Sequence, residues 1–191
     1  MYDKLNEQDR QLRAEADQLL NKRLLKILGR FGQVHITGSY ALKLMTWRDL
    51  DIYVENENIS VEDFFELGKQ LASNLPPRKM SFKNTRTFIQ ENEPIGLYWG
   101  LRVGDSQETI WKIDIWAFDC ATCLEKIDVC NKIGDLLTPE SRNYILSLKD
   151  QLHTHPDYRD TITSMDIYDS VLFKNVHDLN GFWEYIREKK K

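Results

Sequence analysis

Long apolar runs are missing from this sequence. No stretch approaches the roughly 20 residues that a membrane-spanning helix needs, so no membrane association is expected. Cysteine is scarce and odd in number, with only Cys120, Cys123 and Cys130. No secretory pattern stands ahead of them, since the N-terminus is charged from Asp3 onward. That combination points to a reducing, cytoplasmic setting rather than a disulfide framework. An excess of positive charge is also lacking: 26 Lys and Arg face 30 Asp and Glu, a net charge of -4. Broad non-specific nucleic-acid binding needs a basic footprint, so nucleic acid is not the expected partner. Internal repeats, low-complexity tracts and a Pro/Gly/Ser linker are absent as well, which implies parts that pack together.

What is present is a globular composition. The chain has 191 residues, 41% hydrophobic and 29% charged. A chain of this size buries about 70% of its unfolded surface and needs neither disulfides nor a structural metal to fold. Leu5 to Leu28 carries apolar residues at steps of three and four and predicts one amphipathic helix, ended by Gly29 and Gly32. Val34 to Thr37 is a short strand running into Gly38-Ser39, and Tyr40 to Met45 suits a short helix. Asp49 to Val54 alternates polar and apolar as a half-buried strand does. Ser60 caps a helix that reaches Asn74 and stops at Pro76-Pro77. Met80 to Phe118 is β-rich, with a hairpin signal at Gly104-Asp105. Beyond Asp119 the pattern is helical, with Thr138-Pro139 and Ser164 opening helices and a last one running from Asp178. The fold class is α/β in the wider α+β sense. A small mixed-sheet core with its N-terminal helix spans residues 1–119, and a helical lobe packed on it spans 120–191.

Chemistry concentrates between Ile36 and Val54. Asp49 and Asp51 stand two apart on a strand and so project from one face. Two carboxylates facing the same way repel unless a proton or a cation intervenes. A hard divalent ion such as Mg²⁺ meets that need with oxygen ligands. Asp114 lies in an otherwise apolar strand, where aspartate is unfavourable by propensity. If its strand neighbours the first, three carboxylates form a cradle for two ions.

Gly38-Ser39, nine intervening residues and Asp49-Leu50-Asp51-Ile52 resemble the signature of the DNA polymerase beta-type nucleotidyltransferase superfamily, and Asp114 resembles its third carboxylate. The small core followed by helices is similar to the antibiotic-modifying members, and the likeness covers about residues 34–118. The resemblance implies a nucleotidyltransferase that moves a nucleoside monophosphate from a nucleoside triphosphate, ATP foremost, to a hydroxyl of a small-molecule acceptor, releasing pyrophosphate. It implies two Mg²⁺ or Mn²⁺ ions on Asp49, Asp51 and Asp114, with Asp114 as general base. Gly38 and Ser39 would meet the triphosphate, helped by Lys43 one turn on and by Arg48. Arg86, Arg102 and Lys112 are lesser candidates, with Lys112 sharing the face of Asp114 on a regular strand. Self-association into a homodimer is compatible with the sequence. The alternative is a catalytically silent module of the same fold that binds a nucleotide or a protein, as in toxin–antitoxin systems. A phosphohydrolase using the same cradle is a third reading.

Other features have plainer readings. Cys120-x-x-Cys123 with Cys130, completed by His153 or His155, has zinc-like spacing, but a helical segment favours small buried cysteines. His35 reads as a core or sheet-face residue, and His177 belongs to a helix end. Trp99, Trp111 and Trp116 belong by default to packing, while Trp47 is the aromatic placed to meet a ligand. Asp157, Asp160, Asp166 and Asp169 read as a solvated face.

Overall fold

The alternation in two strands decides where the site lies. In β2 (Asp49–Glu55), Leu50, Ile52 and Val54 are buried, while Asp49, Asp51, Tyr53 and Glu55 take the opposite face. In the later strand Trp111–Phe118, Trp111, Ile113, Ile115 and Ala117 are buried and Lys112 and Asp114 share the other face. A period of two puts every second side chain on one side of a sheet. The apolar sides therefore enter the core and the carboxylates face outward. The computed structural model describes residues 2–87, 89, 93–107, 109–158 and 161–190, apart from the Lys22 side chain.

Among the described residues the strands are β1 (Gln33–Thr37), β2, β3 (Lys79–Asn84), β4 (Leu97–Val103) and β5 (Trp111–Phe118), in one sheet of order β1-β2-β5-β4-β3. β2 and β5 pair in parallel and the other pairs are antiparallel, so the sheet is mixed. β4 and β5 join through Gly104, whose φ of 147° suits glycine. The expected hairpin is present.

The helices are α1 (Tyr2–Leu19), α2 (Leu25–Leu28), α3 (Gly38–Ala41), α4 (Val61–Asn74), α5 (Cys120–Leu136), α6 (Pro139–Leu152), α7 (Ser164–Lys174) and α8 (Leu179–Lys189). The Ser60–Asp63 capping box opens α4, and Thr138 with Pro139 at the first turn opens α6. Two sequence expectations need correction here. The single helix over 5–28 is two helices joined by a π-helical turn at Leu20–Leu24, with Arg23 at φ 153°. Leu12, Ala16, Leu20 and Leu24 are all buried. Three successive steps of four would carry a regular helix about 120° round its axis. The kink at Arg23 takes up that drift and keeps the leucines on the sheet. The short helix expected at Tyr40–Met45 is instead a single turn at Gly38–Ala41, followed by Lys43 at φ 58°. Leu44 and Met45 are neighbours in sequence but enter different cores, so the chain unwinds between them.

There are two cores. One lies behind the sheet, where Leu12, Leu24 and Leu28 meet Leu50, Ile52, Ile113, Ile115 and the α4 residues Phe64, Leu67 and Leu71. The other gathers Ile145, Leu148, Ile167, Val171 and Phe182 of the later helices around Leu5, Leu42 and Leu44. α1 therefore contributes to both. Fully buried Asp9 reinforces this joint: it pairs with Arg142 of α6 at 2.7 Å and accepts the Met45 backbone N–H at 2.9 Å. The junction fixes α6, and with it Lys149, against α3. Among the described residues, no helix is long and apolar enough to cross a membrane.

Candidate active site

Asp51 and Asp114 are direct partners in the parallel β2–β5 register, and Asp49 pairs with Lys112. Asp49, Asp51 and Asp114 consequently bring carboxylate oxygens within 4.8 Å of one another. The conditional expectation of a three-carboxylate cradle is met in space. Asp49 and Asp114 keep 14% and 16% of their side chains exposed, so the cradle is partly open.

The Lys112 ammonium spans the cradle, 3.0 Å from Asp49 Oδ1 and 2.7 Å from Asp114 Oδ2. Burial alone would lower this group, but Asp49 and Asp114 outweigh burial and hold it above its ordinary value. The remaining oxygens are also engaged. Tyr98 donates its hydroxyl to Asp114 Oδ1 at 2.9 Å, and Trp47 donates Nε1 to Asp49 Oδ2 at 3.1 Å. Burial, then the Asp49 charge, pushes the Asp51 carboxyl up to about 7. An all-carboxylate cradle that already draws in an ammonium suits Mg²⁺ or Mn²⁺, which favour hard oxygen ligands.

Gly38 closes the cradle from the other side. Its φ is 63°, and a Cβ there would lie 2.3 Å from Asp51 Oδ2. Gly38→Ala is therefore expected to lose about 1–2 kcal/mol from the left-handed backbone alone and to displace Asp51. Urea denaturation reads the first effect, and nucleotide binding reads the second.

Ser39 follows, and its hydroxyl oxygen accepts from Lys149 Nζ at 2.7 Å. Lys149 on α6 is fully buried and also donates to the Leu44 carbonyl at 2.7 Å. Its ammonium lies 4.8 Å from the centre of the Trp47 ring. Burial lowers Lys149 to about 8, against the pull of Asp49 and Asp51. Lys149 lies behind the wall of a cavity of about 280 Å³, lined by Gly38, Ser39, Trp47, Asp49 and Asp51 and, across from them, by Tyr168 of α7 and by Lys126, Val129 and Cys130 of α5. That volume is near the lower end for small-molecule sites.

The other expected residues lie elsewhere. Lys43 is exposed and lines a separate cavity with Arg142, because the turn after α3 reverses it. Arg48 pairs with Glu15 at 2.7 Å and lines a cavity beside α1. Arg86 donates to the Ile59 carbonyl. Trp47 stacks on His153 and meets Tyr158 edge-on, while Trp99 packs against Phe64, Phe65 and Phe82. Asp166 is not solvated: it caps α7 through Thr163 and pairs with Lys189. Asp160 lies outside the described residues.

Sequence reasoning missed Lys149 as a member of this site. The available signal was a lysine on the otherwise apolar face of α6 made by Ile145, Leu146, Leu148 and Leu152, all buried. Nothing local told which element that buried amine would face.

Asp51 makes stability depend on pH. In the absence of divalent metal the folded chain holds a proton on Asp51 up to about pH 7, whereas the unfolded carboxyl releases it near 3.8. Stability contributed by that bound proton is complete below about pH 4 and is lost as pH rises towards 7. The expected loss is on the order of 2 kcal/mol, read by urea denaturation in EDTA at pH 5 and pH 7.5. Asp51→Asn should flatten the profile.

A mixed five-stranded sheet with flanking helices and three aspartates gathered on one face is a fold shared with solved RNA terminal nucleotidyltransferases. Among solved structures, a cytoplasmic RNA terminal U-transferase matches at a TM-score of 0.61 and 15% identity, covering 93% of this chain and 54% of that one. The Cid1 poly(U) polymerase with Mg and 3'-dATP matches at 0.58 and 16%, covering 90% and 52%. GLD-2 in its complex with RNP-8 matches at 0.56 and 9%, covering 90% and 64%. The chain thus spans about half to two thirds of the length of these structures. No family model and no curated protein matches the sequence.

Proposed function

We propose that this chain is a metal-dependent nucleotidyltransferase, which moves a nucleoside monophosphate from a nucleoside triphosphate to the hydroxyl of a small-molecule acceptor. The observation that carries this reading is the Asp49, Asp51 and Asp114 cradle opening beside Gly38, Ser39 and the buried ammonium of Lys149. Carboxylates opposite a fixed cation form a place where a triphosphate and its counter-ions balance charge. Two Mg²⁺ or Mn²⁺ ions on the three aspartates would neutralise the triphosphate and acidify the acceptor hydroxyl.

The chain's own residues supply the rest. Gly38 lets the backbone approach the phosphates, and Ser39 offers its hydroxyl and N–H to them. Lys149 adds fixed positive charge next to Ser39. Asp114 takes the proton of the acceptor hydroxyl. The acceptor oxygen then bonds to the α-phosphorus as the bond to the bridging oxygen breaks, and pyrophosphate leaves. ATP is the expected donor, and a homodimer is compatible with the chain. An RNA 3'-hydroxyl is the second reading of the acceptor, favoured by the RNA terminal transferases of the same fold.

The test uses each of the four triphosphates labelled at the α-phosphate, with Mg²⁺. The acceptors are an aminoglycoside and lincosamide panel in one arm and a single-stranded RNA oligonucleotide in the other. The expected result is a labelled small molecule from the wild type and none from Asp49→Asn/Asp51→Asn. Label on RNA alone establishes the second reading. No transfer and no pyrophosphate in any arm overturns catalysis in favour of the silent nucleotide- or protein-binding module.

A further inference from the structure

A second cluster of metal-ligating side chains lies on the carboxylate face of the sheet, at the far end of β2 from the aspartates. In the antiparallel β1–β2 register Gln33 opposes Glu55 and His35 opposes Tyr53. His35 and Glu55 are therefore diagonal neighbours on one face, and His35 Nε2 lies 2.8 Å from Glu55 Oε2. β5 ends opposite Glu55, at Phe118, and Cys120 opens α5 two residues later. Cys120 and Cys123 are one helical turn apart and so face the same way. Cys120 is exposed, and its backbone N–H donates to Glu57 at the start of α5. His35 nitrogen, Glu55 oxygen and Cys123 sulfur all lie within 4.8 Å of one another.

We propose that Cys120, Cys123, His35 and Glu55 form a structural Zn²⁺ site, distinct from the aspartate cradle. The donor set argues for the ion. Two sulfurs and an imidazole beside one carboxylate are a mixed soft-to-hard set, and borderline zinc accepts all three ligand types, four at a time in a tetrahedron. Zinc bonds of about 2.0–2.3 Å put ligand atoms about 3.3–3.8 Å apart, so His35, Glu55 and Cys123 need only a small contraction, and Cys120 on the same helical turn would rotate in as the fourth ligand. The aspartate cradle, all oxygen, selects a different class of metal. Cys123 is buried, whereas His35 and Glu55 keep 21% and 19% of their side chains exposed, which gives the ion a way in. The cluster also resolves the Cys-x-x-Cys spacing noted in the sequence. His153 and His155 are engaged elsewhere, with Trp47 and Trp183; the completing ligands come from β1 and β2. A zinc ion here would pin the first turn of α5 to the sheet. Farther along, α5 walls the active-site cavity through Lys126, Val129 and Cys130, so the ion would fix that wall.

The test measures metal on the full chain in the Asp49→Asn/Asp51→Asn background, purified under reducing conditions without chelator. The expected content is close to one zinc per chain by mass spectrometry, falling at least tenfold with Cys123→Ser or His35→Ala added. Because such variants can misfold, the parent protein is also stripped with chelator, checked by circular dichroism and titrated with Co²⁺. A thiolate-to-metal charge-transfer band and a one-to-one endpoint are expected, with Zn²⁺ displacing the colour and raising Tm. Folded, stripped protein that takes up neither ion at micromolar concentration overturns the proposal. So does a Cys120–Cys123 disulfide that persists under reduction, or uptake unchanged by Cys120→Ser/Cys123→Ser.

Discussion

Asp114→Asn should lower nucleotidyl transfer by about 10³-fold or more while leaving the protein folded. The variant removes one of three carboxylates within 4.8 Å of one another. It also removes the group placed to take the acceptor proton. Loss of a general base costs about 10²–10⁴-fold, and weaker metal binding adds to that. The fold should survive because an asparagine oxygen can still accept the Tyr98 hydroxyl now donated to Asp114 Oδ1. Removing a negative charge beside Asp51 also relieves part of the repulsion that raises that group. Single-turnover transfer and a melting curve check both halves. An active, folded Asp114→Asn would remove this residue from the chemistry and leave Asp49 and Asp51 as a simple cation site.

Lys149→Met should raise the KM for the triphosphate about 10–100-fold, with a much smaller change in melting temperature. The two effects separate for a physical reason. The ammonium polarises the Ser39 hydroxyl that would meet the phosphates, and a hydrogen bond strengthened by a charge contributes about 1.5–3 kcal/mol, which is one to two decades in affinity. In the fold, however, the ammonium is strained by burial, which lowers it to about 8. That shift corresponds to about 3 kcal/mol of unfavourable burial at neutral pH. Methionine removes this cost but leaves the Leu44 carbonyl without its donor, a loss of about 1–3 kcal/mol. The two changes nearly offset. Because folding lowers the Lys149 value, the wild type should gain stability from pH 8 towards 10.5, and the variant should lose that rise. Lys149→Arg should not rescue KM, since a guanidinium cannot be housed in a pocket that leaves lysine fully buried. An unchanged KM in Lys149→Met would take the residue out of the nucleotide site.

The sheet face was legible in the sequence because its physics is local. Asp49, Asp51 and Asp114 occupy the polar positions of an apolar alternation, and that contrast marks both the strands and the face that carries the carboxylates. Caps at Ser60 and Thr138 were equally local. What escaped was set by packing between distant segments. The π-helical turn at Leu20–Leu24 and the reversal at Lys43 arise because successive residues must reach particular cores. Lys149 meets Ser39 across 110 positions, and Cys123 comes to Glu55 across 68. Neither meeting has a period or a motif that one chain displays. Arg48 and Lys43 are the opposite case: they are near the motif in sequence, and the backbone between Ala41 and Asp49 turns both towards other cavities.

The most direct test of the central claim is nucleotide binding, which needs no knowledge of the acceptor. Each of ATP, GTP, CTP and UTP is added with and without Mg²⁺, and Tm is followed for the wild type and for Asp49→Asn/Asp51→Asn. A ligand at 100 times its Kd stabilises the fold by about 2.7 kcal/mol. For a chain of this size that is about 5–10 °C. The account predicts such a rise with at least one triphosphate, only when Mg²⁺ is present, and none in the double variant. No shift with any triphosphate at millimolar concentration, or an equal shift in the double variant, would contradict it.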